Sequence, residues 1–374
     1  MARVFVTGAS GFIGGALTTQ LIERGDQVVG LARSDTAAEK VNARGAEVAR
    51  GDLLDEESVA AGMVGCDAAY HVAGVNSHCP ADPDMMLRVN VGGAATAVRA
   101  AARAGIRRMV YTSSAAALGE RPGTVGTEDC AHRGSYLSVY DRSKHEGEQA
   151  VFAAAAETGV EVVAVNPSSV QGPPRTGGNG AIIIAYLNGK LPVFVETQVS
   201  VVDIQDCVEG HLLAAERGKS GRRYVLNGAT LHSLEALEMV SELSGVRDRV
   251  RMVPPPVARM AAAIAEATYR MRGRTPSVCR ARVRTILHGH RYDGSRATRE
   301  LGLEYTPVAD TFARTIEWAV SEGLVTRPLP RGSTDTDGVR LKPDPVSREA
   351  GAILPSHGAG RPAGAPDRRG AEPR

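Results

Sequence analysis

Short β-branched runs alternate with longer alanine-rich stretches through the first half of this chain. Val4–Thr7, Val28–Leu31, Glu47–Ala49, Ala68–Val72, Met109–Thr112 and Val160–Val165 read as strands. Between them, Ile13–Arg24, Glu56–Met63, Leu87–Ala104 and Ser138–Glu157 carry helical patterns. Gly25, Gly105 and Gly159 each follow one of these helices, where a left-handed cap ends the helix before the next strand. Strand–helix alternation of this kind predicts an α/β fold: a Rossmann-type, doubly wound parallel sheet of about seven strands with helices on both faces.

After Pro167 the pattern loosens. Pro173-Pro174 through Gly180 reads as a loop, Gly189-Lys190-Leu191-Pro192 as a turn, and Pro254-Pro255-Pro256 as a break before another helix. We expect residues 1–168, joined again by 198–228, to form a dinucleotide-binding domain. Residues 169–197 and 229–326 would form a smaller, mostly helical substrate-binding lobe at the carboxyl edge of the sheet. The Met260–Ala267 stretch is amphipathic and is expected to cover a pocket there. From Arg327 onward Gly, Pro, Arg, Ser and Asp dominate, so 327–374 reads as a disordered tail.

Composition changes this picture little. An apolar fraction of 43% suffices for a core, but with 4% aromatics it must be filled by aliphatic side chains and Ala. The formal charge of +2 gives no reason to expect nucleic acid or a membrane as partner. The five cysteines, Cys66, Cys79, Cys130, Cys207 and Cys279, are dispersed without a C-x-x-C pair, which indicates neither a disulfide framework nor a zinc site. The first strand begins at Arg3 and leaves no room for a signal peptide, and no apolar run reaches the ~20 residues of a membrane span. A cytoplasmic location is the expectation.

Thr7-Gly8-Ala9-Ser10-Gly11-Phe12-Ile13-Gly14 sits between the first strand and the first helix. Glycines at this junction permit a tight turn and let a pyrophosphate approach backbone N–H groups at a helix N-terminus. An NAD-binding chain usually carries an acidic residue at the end of the second strand. Here stand Arg33 and, seven residues on, Lys40, cations suited to a 2′-phosphate, although Asp35 could still serve a ribose. The expectation is therefore NADP(H), with NAD as the alternative. Asp52-Leu53 would flank the adenine, and Val72-Ala73-Gly74 would line the cofactor channel.

Tyr140 and Lys144 lie four apart at the start of a long helix, which places them on one face. A phenol near pKa 10 is a poor acid–base group at neutral pH, and an ammonium one turn away would bring it toward the working range. Ser114, at the end of the fifth strand, would polarise a substrate carbonyl.

Taken in this order, the motifs resemble those of the extended short-chain dehydrogenases/reductases. The closest likeness is to dihydroflavonol reductases, cinnamoyl-CoA-type reductases and hopanoid-associated epimerase-like proteins. The resemblance runs from Arg3 to Val325 and includes His71-Val72-Ala73-Gly74, Val89-Asn90-Val91, Thr112-Ser113-Ser114, Asn166-Pro167-Ser168, Val201-Val202-Asp203-Ile204-Gln205-Asp206-Cys207 and Tyr292-Asp293-Gly294-Ser295. It implies Ser114, Tyr140 and Lys144 as the catalytic triad and Arg33 and Lys40 as 2′-phosphate contacts. The cofactor set it implies is Gly8, Ser10, Gly11, Phe12, Ile13, Gly14, Arg33, Lys40, Asp52, Leu53, Val72, Ala73, Gly74, Thr112, Tyr140, Lys144, Pro167 and Ser169. Two departures narrow the reaction. Sugar-nucleotide dehydratases follow the strand-end hydroxyl with Asp-Glu where this chain has Ala115-Ala116. Epimerases usually carry Tyr and Asn where it has Leu118 and Ser169.

The reading is thus an NADPH-dependent ketone or aldehyde reductase, with an NAD-dependent sugar-nucleotide epimerase as the alternative. The Ala- and Arg-rich composition suggests a high-GC bacterium and a place in secondary metabolism. A small carbonyl compound is the expected partner, and the chain is expected as monomer or homodimer. His71 reads as a packed residue and Asn90 as helix support. No metal is expected, because His288-Gly289-His290 has no carboxylate or Cys at a supporting spacing. Arg270, Arg272 and Arg274, with Arg280, Arg282 and Arg284, read as a solvated basic face.

Overall fold

The computed structural model describes residues 1–276 and 278–330. Strands β1 (Arg3–Thr7), β2 (Gln27–Ala32), β3 (Glu47–Arg50), β4 (Ala68–His71), β5 (Arg108–Thr112), β6 (Glu161–Pro167) and β10 (Arg223–Leu226) form its central sheet. Their order is β3-β2-β1-β4-β5-β6-β10, and every pairing is parallel. A parallel sheet buries both faces, and the strands are apolar on both sides accordingly. In β1, Val4 and Val6 join one core cluster while Phe5 joins the other.

The first cluster is completed by α1 (Phe12–Glu23), α2 (Asp35–Asn42) and α8 (Ile204–Arg217), which contribute Leu17, Leu21, Val41, Val208 and Leu212. On the other face lie α3 (Glu56–Met63), α5 (Ala94–Arg103) and α6 (Val139–Thr158), through Val59, Met63, Val98, Val151 and Ala154. Gly25, Gly105 and Gly159 take φ of +88°, +79° and +77°, as the capping pattern predicts. The strand order reverses between β1 and β4. In such sheets the crevice outside the carboxyl ends at that point is where ligands bind.

Two local departures from the pattern matter. The segment expected as one helix over Leu87–Ala104 is split: α4 (Pro83–Leu87) runs into a π-helical turn at Arg88–Gly93 before α5. Val89, Val91, Gly92 and Gly93 are weak helix formers, so tertiary bonds to Asn90 can set the geometry there. Helix α2, not evident from periodicity, is short and is capped by Ser34, whose Oγ accepts from the Ala37 N–H.

The second half carries more strand than the sequence suggests. A three-stranded sheet, β7 (Ser169–Gln171), β9 (Gln198–Asp203) and β11 (Ala229–His232), is accompanied by a β8 (Val193–Phe194) and β12 (Arg251–Met252) pair. Around them pack α7 (Asn179–Leu187), α9 (Ser233–Ser244), α10 (Pro255–Met271), α11 (Arg280–His288) and α12 (Val308–Ser321). Ile183, Leu187, Val240, Phe312 and Ile316 form their core. Asp203 fastens this part together by capping α8 and accepting from Thr311 at 2.7 Å.

Most of the segment expected as a tail, residues 331–374, lies outside the described residues. Arg327, placed at its start, is in fact tied down: its guanidinium pairs with Asp248 at 2.9 Å and donates to the Leu187 carbonyl. Among the described residues no helix is long and apolar enough to cross a membrane.

Candidate active site

The glycine turn owes its sequence to close backbone approach. Gly8, at φ +74°, lies against β4 so tightly that a Cβ would sit 2.8 Å from the Ala73 nitrogen. A Cβ on Gly14 would stand 2.2 Å from the Gly8 carbonyl oxygen. The Gly11 N–H donates to that same oxygen at 2.8 Å, and Gly11, whose own Cβ would stand 3.1 Å from it, begins α1 without a side-chain cap. These are the features of a phosphate cradle, so Gly8, Ser10, Gly11, Phe12, Ile13 and Gly14 fit a dinucleotide. Thr7 joins the two strand ends behind it. Its Oγ1 accepts from the Val72 and Ala73 N–H groups at 3.1 Å each, which leaves its hydrogen for His71 Nδ1 at 2.8 Å. His71 is therefore the Nε2–H tautomer. Burial, with the Lys144 charge, pulls its pKa down to about 3, and the packed reading of this residue agrees with both facts.

Arg33 follows β2 and Lys40 lies on α2, both exposed. Asp35 is engaged by Arg50 at 2.7 Å, whereas among the described residues Arg33 has a single loose contact, 3.9 Å from Asp52. Leu53 is buried and packs where Gly93 leaves room for it. Pro167 ends β6, and Ser169 starts β7 with its Oγ accepting from Gln171 and Asn179 at 3.1 and 3.0 Å.

Thr112 ends β5, and Ser114 follows with its Oγ accepting from the Ala116 N–H at 3.2 Å. That leaves the Ser114 hydrogen free to donate. Tyr140 and Lys144 start α6, whose N-cap Ser138 accepts from the Asp141 N–H at 3.2 Å. All three side chains are buried. Burial pushes the Tyr140 phenol above its ordinary value, opposed by its hydrogen bond with Ser114.

The expectation that Lys144 depresses the tyrosine is not met. Lys144 Nζ turns to the Thr112 carbonyl, 3.1 Å away, and lies 5.8 Å from the Tyr111 ring centroid. A four-residue spacing places two side chains on one face but does not aim them at each other. Burial lowers the lysine itself to about 8.

Asn90 connects the parts. Its Oδ1 accepts from the Val75 N–H at 2.7 Å, and its Nδ2 donates to the Val75 carbonyl and Ser143 Oγ, both at 2.9 Å. The turn leaving β4 is thereby fixed to the helix of Tyr140 and Lys144.

Three neighbours escape sequence reasoning. The His78 ring packs edge-on to Tyr140, 5.3 Å between centroids. Arg175 stands over the Phe12 ring at 5.1 Å. A disulfide joins Cys79 to Cys279, correcting the expectation that the cysteines form none; a separation of 200 residues leaves no spacing to read. A cavity of about 750 Å³ opens beside this bridge. His78 and Val139 line it, with Arg270, Arg274, Arg280 and Arg284, so this basic segment is not simply a solvated face. Glu266 and Arg270 of α10 reach the cavity as expected of a cover, but Met260 and Ile264 on the same helix point outward.

Residues 4–227 match the NAD dependent epimerase/dehydratase family. The chain belongs to that family. Its members are nicotinamide-dependent and act on CH–OH or C=O groups. A 4-hydroxy-2-methyl-3-oxo-4-farnesyl-3,4-dihydroquinoline-1-oxide ketoreductase of Stigmatella aurantiaca is 34% identical over 309 residues, spanning 80% of this chain and 91% of the relative. Cinnamoyl-CoA reductase 1 of Petunia hybrida is 29% identical over 358 residues, spanning 91% and 98%. Among solved structures, a nucleoside-diphosphate-sugar epimerase of Pseudomonas aeruginosa superposes with a TM-score of 0.68 at 25% identity, covering 86% of this chain and 99% of that one. The extended short-chain reductase resemblance and the Rossmann-type sheet both stand.

Proposed function

We propose that this family member is an NADPH-dependent reductase of a ketone or aldehyde, with Ser114, Tyr140 and Lys144 at its centre. One observation carries the reading. Tyr140 is a buried phenol that burial pushes above its ordinary value, so it keeps its proton near neutral pH, and the Ser114 hydroxyl accepts from the Ala116 N–H and keeps a hydrogen to donate. A bound reduced nicotinamide supplies the hydride. Ser114 donates to the carbonyl oxygen, and Tyr140 gives that oxygen its proton. Lys144, anchored on the Thr112 carbonyl, would hold the nicotinamide ribose from the same position.

The glycine turn, with Asp52, Leu53, Val72, Ala73, Gly74, Thr112, Pro167 and Ser169, would hold the rest of the dinucleotide. Arg33 and Lys40 would take its 2′-phosphate. Residues 1–168 and 198–228 would carry the cofactor, and residues 169–197 and 229–326 the substrate, a small carbonyl compound of bacterial secondary metabolism. Similarity to a named ketoreductase supports the reaction type. Replacing Tyr140 by Phe should abolish NADPH oxidation with carbonyl substrates while NADPH still binds; near-full turnover in that variant would refute the assignment.

The likeness to a nucleoside-diphosphate-sugar epimerase favours a second reading, with NAD held tightly and recycled. Denaturing the purified chain and identifying what it releases separates the two. Retained NAD supports epimerisation, and exchangeable NADPH supports net reduction.

A further inference from the structure

His288 closes α11, and His290 follows the left-handed Gly289 at φ +70°. Alone they are two imidazoles without a third ligand. The fold supplies one from 170 residues earlier. Glu120, in the segment after Ser114, is 2% exposed, with Oε1 2.6 Å from His290 Nδ1 and 3.4 Å from His288 Nε2. Ligand atoms of the three residues all fall within 4.8 Å of one another.

Two further facts separate this cluster from an ordinary buried ion pair. Glu120 Oε2 and His288 Nε2 are both buried without a hydrogen-bond partner among the described residues. The His288 side chain is only 4% exposed, so neither atom is readily reached by solvent. Moreover, among the described residues no Lys or Arg pairs with this carboxylate: Arg133 reaches the Glu120 main-chain carbonyl instead, at 3.2 Å. A buried carboxylate oxygen and a buried imidazole nitrogen side by side, each without a hydrogen bond among the described residues, form a donor set short of a cation.

The geometry points to a divalent transition-metal site of the zinc class at Glu120, His288 and His290. Two imidazoles and one carboxylate form a ligand set that zinc accepts, with bonds of about 2.0–2.2 Å. Tetrahedral ligands at those lengths stand about 3.3 Å apart, close to the 3.4 Å between Glu120 Oε1 and His288 Nε2. The His290 contact must open by under about 1 Å, turning a hydrogen bond into a shared ligand position. Tyr292, whose hydroxyl lies 2.9 Å from His290 Nδ1, stands beside the cluster. The bound ion clamps the end of α11 to the segment after β5. The same two pieces already meet through a β-bridge between Gly126 and Tyr292.

The test needs no substrate and is independent of the reductase reading. The full chain is stripped with a chelator, exposed to zinc sulfate, desalted, and its metal measured by mass spectrometry alongside its thermal midpoint. One zinc per chain and a raised midpoint are expected. Cobalt in its place should give tetrahedral absorption without a thiolate charge-transfer band. His288→Gln and Glu120→Gln should each retain less than about a tenth of an equivalent, while His132→Gln, in a separate histidine pair, retains the full amount. Wild-type chain that keeps no zinc, a thiolate band, or retention unaffected by His288→Gln would each overturn the site. If the variants do not fold, wild-type stoichiometry and the cobalt spectrum still decide it.

Discussion

Gly14 and Gly15 are adjacent in α1, and alanine should be harmful at the first and tolerated at the second. At Gly14 the new Cβ meets backbone, 2.2 Å from the Gly8 oxygen and 2.7 Å from its carbon. An ordinary contact needs about 1 Å more than the shorter of these. Gly8 cannot retreat, because its other side already lies against the backbone of Val72 and Ala73. The turn is held between α1 and the end of β4, so the displacement falls on the cradle itself. Overpacking of this kind costs about 1–3 kcal/mol. Carried into the bound state, that is a loss of roughly five- to 150-fold in dinucleotide affinity.

At Gly15 the obstacle is the Arg44 guanidinium, 2.8 Å away at the end of a flexible side chain on the half-buried exit of α2. It can swing aside, and alanine gains up to about 1 kcal/mol over glycine inside a helix. Gly15→Ala should therefore bind NADPH as wild type and unfold within about 1 kcal/mol of it. Fluorescence titration with NADPH and urea unfolding of both variants supply the comparison. If Gly14→Ala binds normally, or Gly15→Ala is equally impaired, the account of the turn is wrong.

Arg33→Ala should weaken NADPH by about tenfold to 100-fold, the worth of charge-assisted hydrogen bonds, and leave NADH nearly unchanged; equal losses for both would remove Arg33 from the 2′-phosphate. Glu148 accepts from Arg223 at 2.8 Å and Asn166 at 2.6 Å in the buried junction of α6, β6 and β10. Glu148→Ala should cost about 3 kcal/mol in urea unfolding, the lower end for a broken buried pair because Arg223 keeps the Glu128 carbonyl. Lys144 falls from an ordinary 10.5 to about 8 on folding, chiefly through burial. Between those values the unfolded chain binds more protons, so this lysine's contribution to stability rises with pH. The stability of wild type relative to Lys144→Met should therefore increase by about 2 kcal/mol from pH 8 to 10. A gap independent of pH would mean that the lysine is not buried as described.

Legibility in the sequence followed range. The β1–turn–α1 unit and the glycine caps are local, and each could be read because the backbone itself selects glycine at positive φ or close approach. Ser114 and the Tyr140 helix were legible as strand-end and helix-start residues in the right order. What could not be read is whatever the chain assembles from afar. Glu120 meets His290 across 170 residues of sequence, Cys79 meets Cys279, and Val75 and Ser143 claim the amide of Asn90 in its π-helical turn. Arg175 carries no motif; it stands over Phe12, and its charge draws the Tyr140 phenol downward.

The tyrosine–lysine pair shows how far a spacing can be trusted. Proximity along α6 suggested that the ammonium would ease the phenol toward ionisation. Instead one cause acts on both groups: burial opposes charge on each, raising the phenol and lowering the ammonium. The consequences differ in kind. A phenol held neutral retains a proton to give, which suits reduction better than the reverse reaction. An ammonium lowered to about 8 is still charged near neutral pH, with the Thr112 carbonyl as its partner and its remaining hydrogens available to a ligand. In the proposed reaction the proton-donating unit would be the serine–tyrosine contact, and Lys144, held on the Thr112 carbonyl, would act as an anchor. In that reading the end of β5 would serve the reaction twice: Thr112 holds the lysine, and two residues later Ser114 would set the proton donor. An argument from helix spacing alone leaves that strand out.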